Sequence, residues 1–158
     1  MYAGNFAIPY DALDVVLRLV AATFIGMGLG WERLSRGKPT GIRTLGLVSF
    51  AAALVTLSVM HAEHIVDNPD GLGRVLQGAI QGVLVGIGFL GGGVVLRDAA
   101  QHRVYNLTSA AEVWAVAAMG LATAVAPWAV VGLGLMIFVL LMIGLRIVED
   151  KFKLKDHD

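Results

Sequence analysis

No cysteine occurs among the 158 residues, which excludes disulfides, thiolate nucleophiles, cysteine-ligated zinc and iron–sulfur clusters. Charge is also scarce: 12 basic and 12 acidic side chains make up 15% of the chain, against roughly 25% in ordinary soluble domains. They cancel, leaving no excess positive charge to hold a polyanion, so nucleic acid is not an expected partner. The four histidines, His61, His64, His102 and His157, are too scattered for a catalytic cluster. A phosphate-binding loop, a zinc-peptidase His-Glu pattern and a Gly-x-Ser-x-Gly elbow are missing too. Neither enzymatic activity nor a cofactor is expected. The N-terminus lacks the basic region and small-residue cleavage site of a signal peptide, so its first apolar segment should stay in the membrane.

What the chain has instead is 57% apolar residues. A soluble core of this size buries perhaps two thirds of its surface, and the remainder would be oily. Lipid is the solvent this composition requires. Stretches near the ~20 residues needed to cross a bilayer occur at 13–31, 44–62, 75–96, 107–126 and 128–145. Helices satisfy their backbone hydrogen bonds internally, so the expected fold is all-α. It is read as a polytopic bundle of five transmembrane helices forming one domain over 1–158, with a basic tail at 146–158. Pro127 separates the last two spans and should make a tight helical hairpin.

Charge in the loops gives the orientation. Arg33, Arg36, Lys38 and Arg43 follow span one, Arg97 and Arg103 span three, and Arg146, Lys151, Lys153 and Lys155 span five. All ten fall on one side of a five-span chain, which the positive-inside rule makes cytoplasmic. The N-terminus is then outside and the C-terminus inside. Merging the Pro127 hairpin into one kinked helix gives four spans and puts the basic tail outside, against this bias.

Glycine and polar residues supply the remaining signals. Gly26 and Gly30 in span one, and Gly78, Gly82 and Gly86 in span three, recur at i, i+4, a spacing that lets membrane helices approach closely. Spans one and three are therefore the expected closest pair. The glycine run at 86–93 either packs tightly or unwinds to offer carbonyls to an ion. Asp11, Asp14 and Arg18 share a helix face, as an ion-paired interfacial anchor or as a cation vestibule. Glu112 lies about a turn and a half inside span four, with Thr108 on its face. It is a cation ligand, proton carrier or partner of Arg43 or Arg97, or else closes a capping box on Ser109. Gln77 and Gln81 should hydrogen-bond between helices. Glu32 and Arg33 can cluster with Arg97 and Asp98 at the cytoplasmic end of span one. His61, His64 and Asp67 read as a solvated loop, or as three ligands of a metal with no evident fourth.

Three blocks of the sequence stand out: Gly28-Leu29-Gly30-Trp31-Glu32-Arg33 followed by Thr40-Gly41-Ile42-Arg43-Thr44; Gly86-Ile87-Gly88-Phe89-Leu90-Gly91-Gly92-Gly93 running to Arg97; and Leu107-Thr108-Ser109-Ala110-Ala111-Glu112-Val113-Trp114. Together they resemble the MgtC/SapB family of bacterial inner-membrane proteins. The match carries over Glu32, Gly41, Arg43, Thr44, Gly86, Gly88, Phe89, Gly91, Gly93, Arg97, Leu107, Thr108 and Trp114, without assigning them chemistry. Leu45 departs from a frequent histidine, Asn106 from the usual glycine, and Glu112 from a small or hydroxyl residue. Fuller members resemble this membrane part joined to a cytoplasmic regulatory domain, whereas about a dozen residues follow span five here.

The resemblance implies a multi-pass protein of the bacterial inner membrane, linked to growth at low magnesium and to survival of pathogens inside host cells. Such a protein would modulate membrane partners such as ATP synthase or transporters. Its implied partners are the lipid bilayer, other membrane proteins, a second copy of itself and magnesium ion. The alternative is a magnesium or proton-coupled channel or transporter working as an oligomer, its path formed by Glu112, the glycine run and Arg43.

Overall fold

The computed structural model describes residues 11–34, 40–61, 69–98 and 103–155, with backbone alone at 69–70, 96–98, 103–105, 145–146 and 148–155. Five helices appear in chain order: α1 Ala12–Leu34, α2 Ile42–Met60, α3 Pro69–Val94, α4 Leu107–Val125 and α5 Trp128–Lys155. Their ends have local causes. Pro69 begins α3, where its missing N–H is no loss and its fixed φ already suits a helix. Asn106 precedes α4 at φ 65° and accepts the Ala110 N–H at 3.0 Å. Glycine adopts this left-handed backbone freely, and asparagine tolerates it better than most residues. That is the physical reason asparagine can stand at this position. Pro127 closes α4 and caps α5, its carbonyl accepting the Val130 and Val131 N–H groups at 2.9 and 3.2 Å.

Between α3 and α4 the chain forms a short antiparallel ribbon, β1 Leu96–Asp98 and β2 Arg103–Tyr105, with Leu96 opposite Tyr105. It is the one addition to the helical plan among the described residues. α1, α2, α4 and residues 71–94 of α3 are long and apolar enough to cross a membrane, and α5 has a shorter apolar stretch, Trp128–Gly144. By internal contacts the chain divides into two units, Met1–Val125 and Ala126–Asp158.

Within the first unit, α1 runs antiparallel to α2 and packs most extensively on it, so the expectation of an α1–α3 pair is corrected. The reason is visible at the glycines. A Cβ on Gly26 would lie 2.3 Å from the Leu45 carbonyl oxygen, and one on Gly30 would lie 2.7 Å from Ile42 Cα. Those α1 glycines let its backbone rest on α2, while Gly78, Gly82 and Gly86 have nothing within 4 Å of such an atom. Around this contact the core is built from Leu45, Val48, Ala52, Val113, Val116 and Ala117. Three threonines at membrane depth satisfy their hydroxyls within their own helices: Thr23, Thr56 and Thr123 donate to carbonyls four residues earlier at 2.7–2.8 Å. These three need no water.

Candidate functional site

Arg33 stands in the last turn of α1, where a cation complements the carbonyl end of the helix dipole. Its side chain is only 3% exposed. Burial of a guanidinium requires partners for its donors, and three segments provide them. Nε donates to the Thr40 carbonyl just before α2 at 3.0 Å, and Nη2 donates to Ser109 Oγ on α4 at 2.5 Å. Nη1 forms an ion pair with Glu112 Oε2, one turn further along α4, whose side chain is 13% exposed. The cluster ties the end of α1 to the start of α2 and to the first half of α4.

This bears on two of the readings for Glu112. Its partner among the described residues is Arg33; Arg43 is exposed, and the side chain of Arg97 lies outside the described residues. The capping box does not form, because α4 begins at Leu107 and Asn106 takes the cap, placing Ser109 inside the first turn. Ser109 instead turns its hydroxyl to Arg33. Ser109 and Glu112, at i, i+3, present one acidic and one hydroxyl acceptor on the same face. A carboxylate held this way is charge-neutralised and positioned.

A second buried arginine lies at the opposite end of α1. Arg18 is 8% exposed; its Nε donates to Asp14 Oδ2 at 2.7 Å. Nη1 donates to the Thr123 and Ala124 carbonyls at 2.9 and 3.4 Å. These are among the last carbonyls of α4, which have no partner within their own helix. The Asp14–Arg18 pair is as the spacing predicts, but Arg18 turns inward to cap α4 and does not reach outward as an interfacial anchor.

Between the two arginines the α1–α2–α4 contact is tight. A Cβ on Gly120 would fall 2.3 Å from the Ser49 carbonyl oxygen, and a Cβ on Gly26 2.8 Å from Ser49 Cβ. Ser49 is fully buried and its hydroxyl has no partner among the described residues.

The other sequence-derived candidates are dispersed. Glu32 and Gly41 are half-buried, while Arg43, Thr44, Leu107, Thr108 and Trp114 are exposed. Gly86, Gly88, Phe89 and Gly93 are exposed along α3, and Gly91 is buried with Ala110 Cβ 3.6 Å from where its own Cβ would be. Helix α3 continues through this run to Val94, so the backbone does not unwind there. Gln77 and Gln81 are exposed, and among the described residues no hydrogen bond joins either to another helix. His61 turns Nδ1 to the Leu57 carbonyl at 2.8 Å; His64, Asp67, His102 and His157 lie outside the described residues, as do the side chains of Arg97 and Asp98. Among the described residues no group of three histidine or carboxylate side chains could hold a metal.

Arg33, Thr40 and Ser109 are the members of the cluster that sequence reasoning left off its candidate site. The signal for Arg33 was a charge one turn inside an apolar helix; for Ser109 it was the i, i+3 spacing to Glu112.

Comparison with known proteins completes the assignment. The model of the MgtC family matches residues 19–151. SrpB of Synechococcus elongatus is 36% identical over 70% of this chain and 63% of its own length. SapB of Bacillus subtilis is 34% identical over 70% of this chain and 47% of its own. MgtC of Salmonella typhimurium is 39% identical over 66% of this chain and 41% of its own. The chain thus spans about half the length of the curated relatives it matches. No solved structure matches it. With four long apolar helices and a family match over most of its length, the chain is a multi-pass membrane protein belonging to the MgtC family, for which the bacterial inner membrane is the fitting location.

Proposed function

We propose that the chain is a small modulator linked to magnesium homeostasis, acting through contacts with other membrane proteins and neither as an enzyme nor as a carrier of ions. The observation that supports this reading is the pairing of Glu112 with buried Arg33. The sharpest intramembrane carboxylate of the chain is held by a fixed cation, in a core where Gly26 and Gly120 bring backbones into contact. A cation entering between α1, α2 and α4 would find Glu112 and Asp14 already neutralised by Arg33 and Arg18, so neither carboxylate is free to hold it. The continuous α3 helix offers no unwound carbonyls. Function then falls to the surface facing lipid and neighbouring proteins. In this reading the N-terminus is outside and the basic ends of the helices are cytoplasmic.

Flux into proteoliposomes tests the proposal. Magnesium and proton flux should not exceed that of empty vesicles, for the folded chain or for Glu112→Gln. Flux that the variant abolishes would refute the proposal and make the protein a channel or transporter with Glu112 in its path. In a bacterium deprived of its own MgtC-family protein, the chain should restore growth at low magnesium.

A further inference from the structure

We propose that the bundle carries a site for one anionic phospholipid, with an acyl chain in the groove between α2 and α3 and the phosphate at Arg43 on the first turn of α2. The groove is the first observation. Leu47, Ala51 and Val55 of α2 and Gly82, Gly86 and Leu90 of α3 line an open space of about 370 Å³, and every residue around it is apolar. Such a lining offers an occupant no side-chain hydrogen bond, which suits hydrocarbon and penalises a polar guest. From Leu47 to Val55 the wall runs about 12 Å at ~1.5 Å per residue. That is most of one leaflet, half of a hydrocarbon core about 30 Å thick. A transmembrane helix of another protein would need a groove of the full depth, whereas an acyl chain needs only this much.

The second observation is a cation without a partner. Arg18 and Arg33 are ion-paired and Arg74 has an interaction of its own. Exposed Arg43 has neither an ion pair nor a hydrogen bond among the described residues. It belongs to the groove's own wall, since Arg43, Leu47, Ala51 and Val55 recur at i, i+4 along α2 and so share a face. Arg43 lies about 6 Å beyond Leu47. Helical side chains lean toward the N-terminus, which carries its guanidinium past the groove toward the headgroups. The helix end adds to this: α2 starts with no side-chain cap and no acidic residue in its first turn, so its orphan N–H groups favour an anion. Just ahead of it Thr40 is 5% exposed, its hydroxyl unpartnered among the described residues. A free guanidinium and orphan N–H groups are the donors a phosphate takes, while a zwitterionic headgroup brings a cation of its own against Arg43. One molecule meets both ends of the site, an anionic phospholipid. The inference goes beyond the modulator reading and does not rest on it: ion flux would sink that reading and leave this site standing.

Native mass spectrometry of the full chain tests the site, with the protein released from detergent carrying phosphatidylglycerol, phosphatidylethanolamine or phosphatidylcholine of matched acyl chains. One phosphatidylglycerol per chain should be retained in preference to either zwitterionic lipid. Arg43→Gln should bind it about 5-fold more weakly, the effect expected of one basic residue at an anionic membrane surface, and should lose the preference among headgroups. Arg74→Gln, on α3 at the end away from Leu90, should change neither. Gly86→Leu has room to fold, since nothing lies within 4 Å of its missing Cβ. It should keep its helical circular dichroism, fill the groove and weaken retention of all three lipids alike. Inorganic phosphate in excess should not displace the lipid, having no chain for the groove. Equal retention of the three lipids, an Arg43→Gln variant indistinguishable from the parent, or displacement by inorganic phosphate would each overturn the proposal. So would undiminished retention in Gly86→Leu. The chain has no native cysteine, and cross-linking of Ala51→Cys to another protein in native membranes would overturn it too, by showing a protein in the groove.

Discussion

Removing the Glu112 carboxylate is the most informative perturbation of the core. In Glu112→Ala the Arg33 guanidinium stays charged and buried, left with the Thr40 carbonyl and the Ser109 hydroxyl as its assigned acceptors. Breaking one side of a buried ion pair costs about 3–5 kcal/mol, because the remaining charge has lost its neutralising partner without regaining water. With Arg33 only 3% exposed, Glu112→Ala should fall in the upper half of that range. Arg33→Met leaves Glu112 behind at 13% exposure, nearer to solvent, and should fall near its lower edge, about 3 kcal/mol. The double variant Arg33→Met/Glu112→Leu replaces the pair by apolar groups of similar volume, which is neutral or stabilising by about 1–4 kcal/mol elsewhere. The two single losses should therefore not add. Unfolding in mixed micelles of rising denaturing-detergent fraction, followed by far-ultraviolet circular dichroism, measures all four corners of the cycle. A loss below about 1 kcal/mol for Glu112→Ala, or a double variant whose loss equals the sum of the singles, would refute the reasoning.

The glycines give a paired prediction on the same assay. Gly26→Ala and Gly120→Ala place a methyl 2.3 Å from a backbone oxygen of α2 and should destabilise by about 1–3 kcal/mol or more. Gly82→Ala, in open space, should stabilise the isolated helix by about 0.5–1 kcal/mol. At the other end of α1, Arg18→Met removes the cap on the last carbonyls of α4 and should cost about 1.5–3 kcal/mol. Arg18→Lys should recover only part of it, since an ammonium lacks the planar fork that bonds Asp14 and α4 together; full recovery would mean that charge alone is needed.

The membrane helices were legible because their cause is local. Apolar length alone placed all five, and α4 was read to within one residue of its observed end. Pattern failed where two sites share one spacing. Gly26–Gly30 and Gly78–Gly82–Gly86 are equivalent in sequence, yet the first pair rests on a neighbouring backbone and the second faces open space. Only the partner helix distinguishes them. The Arg33 partner of Glu112 was not legible for the same reason: Ser109 and Arg33 are 76 residues apart, and no local periodicity reports which of several basic residues a fold will bring to a carboxylate. The three-residue strands were too short to leave an alternating pattern, and the left-handed backbone of Asn106 left no local pattern of its own.

Both buried arginines belong to the first membrane helix, and their long-range partners belong to the fourth. Arg18 waits for carbonyls 105 residues later. At roughly 5–20 residues per second of synthesis, α1 spends on the order of 5–20 s in or beside the membrane before α4 exists. During that time Arg33 has no Glu112. An arginine at the centre of a lone helix costs about 2.5–3.5 kcal/mol to insert; Arg18 can ease this with its local Asp14, whereas Arg33 relies on the nearby interface. Nascent α1 is therefore a poor stand-alone insert, best kept at the insertion machinery until α4 arrives. Biogenesis of this protein is then gated by its fourth helix, and chains arrested before residue 107 should be the ones quality control removes.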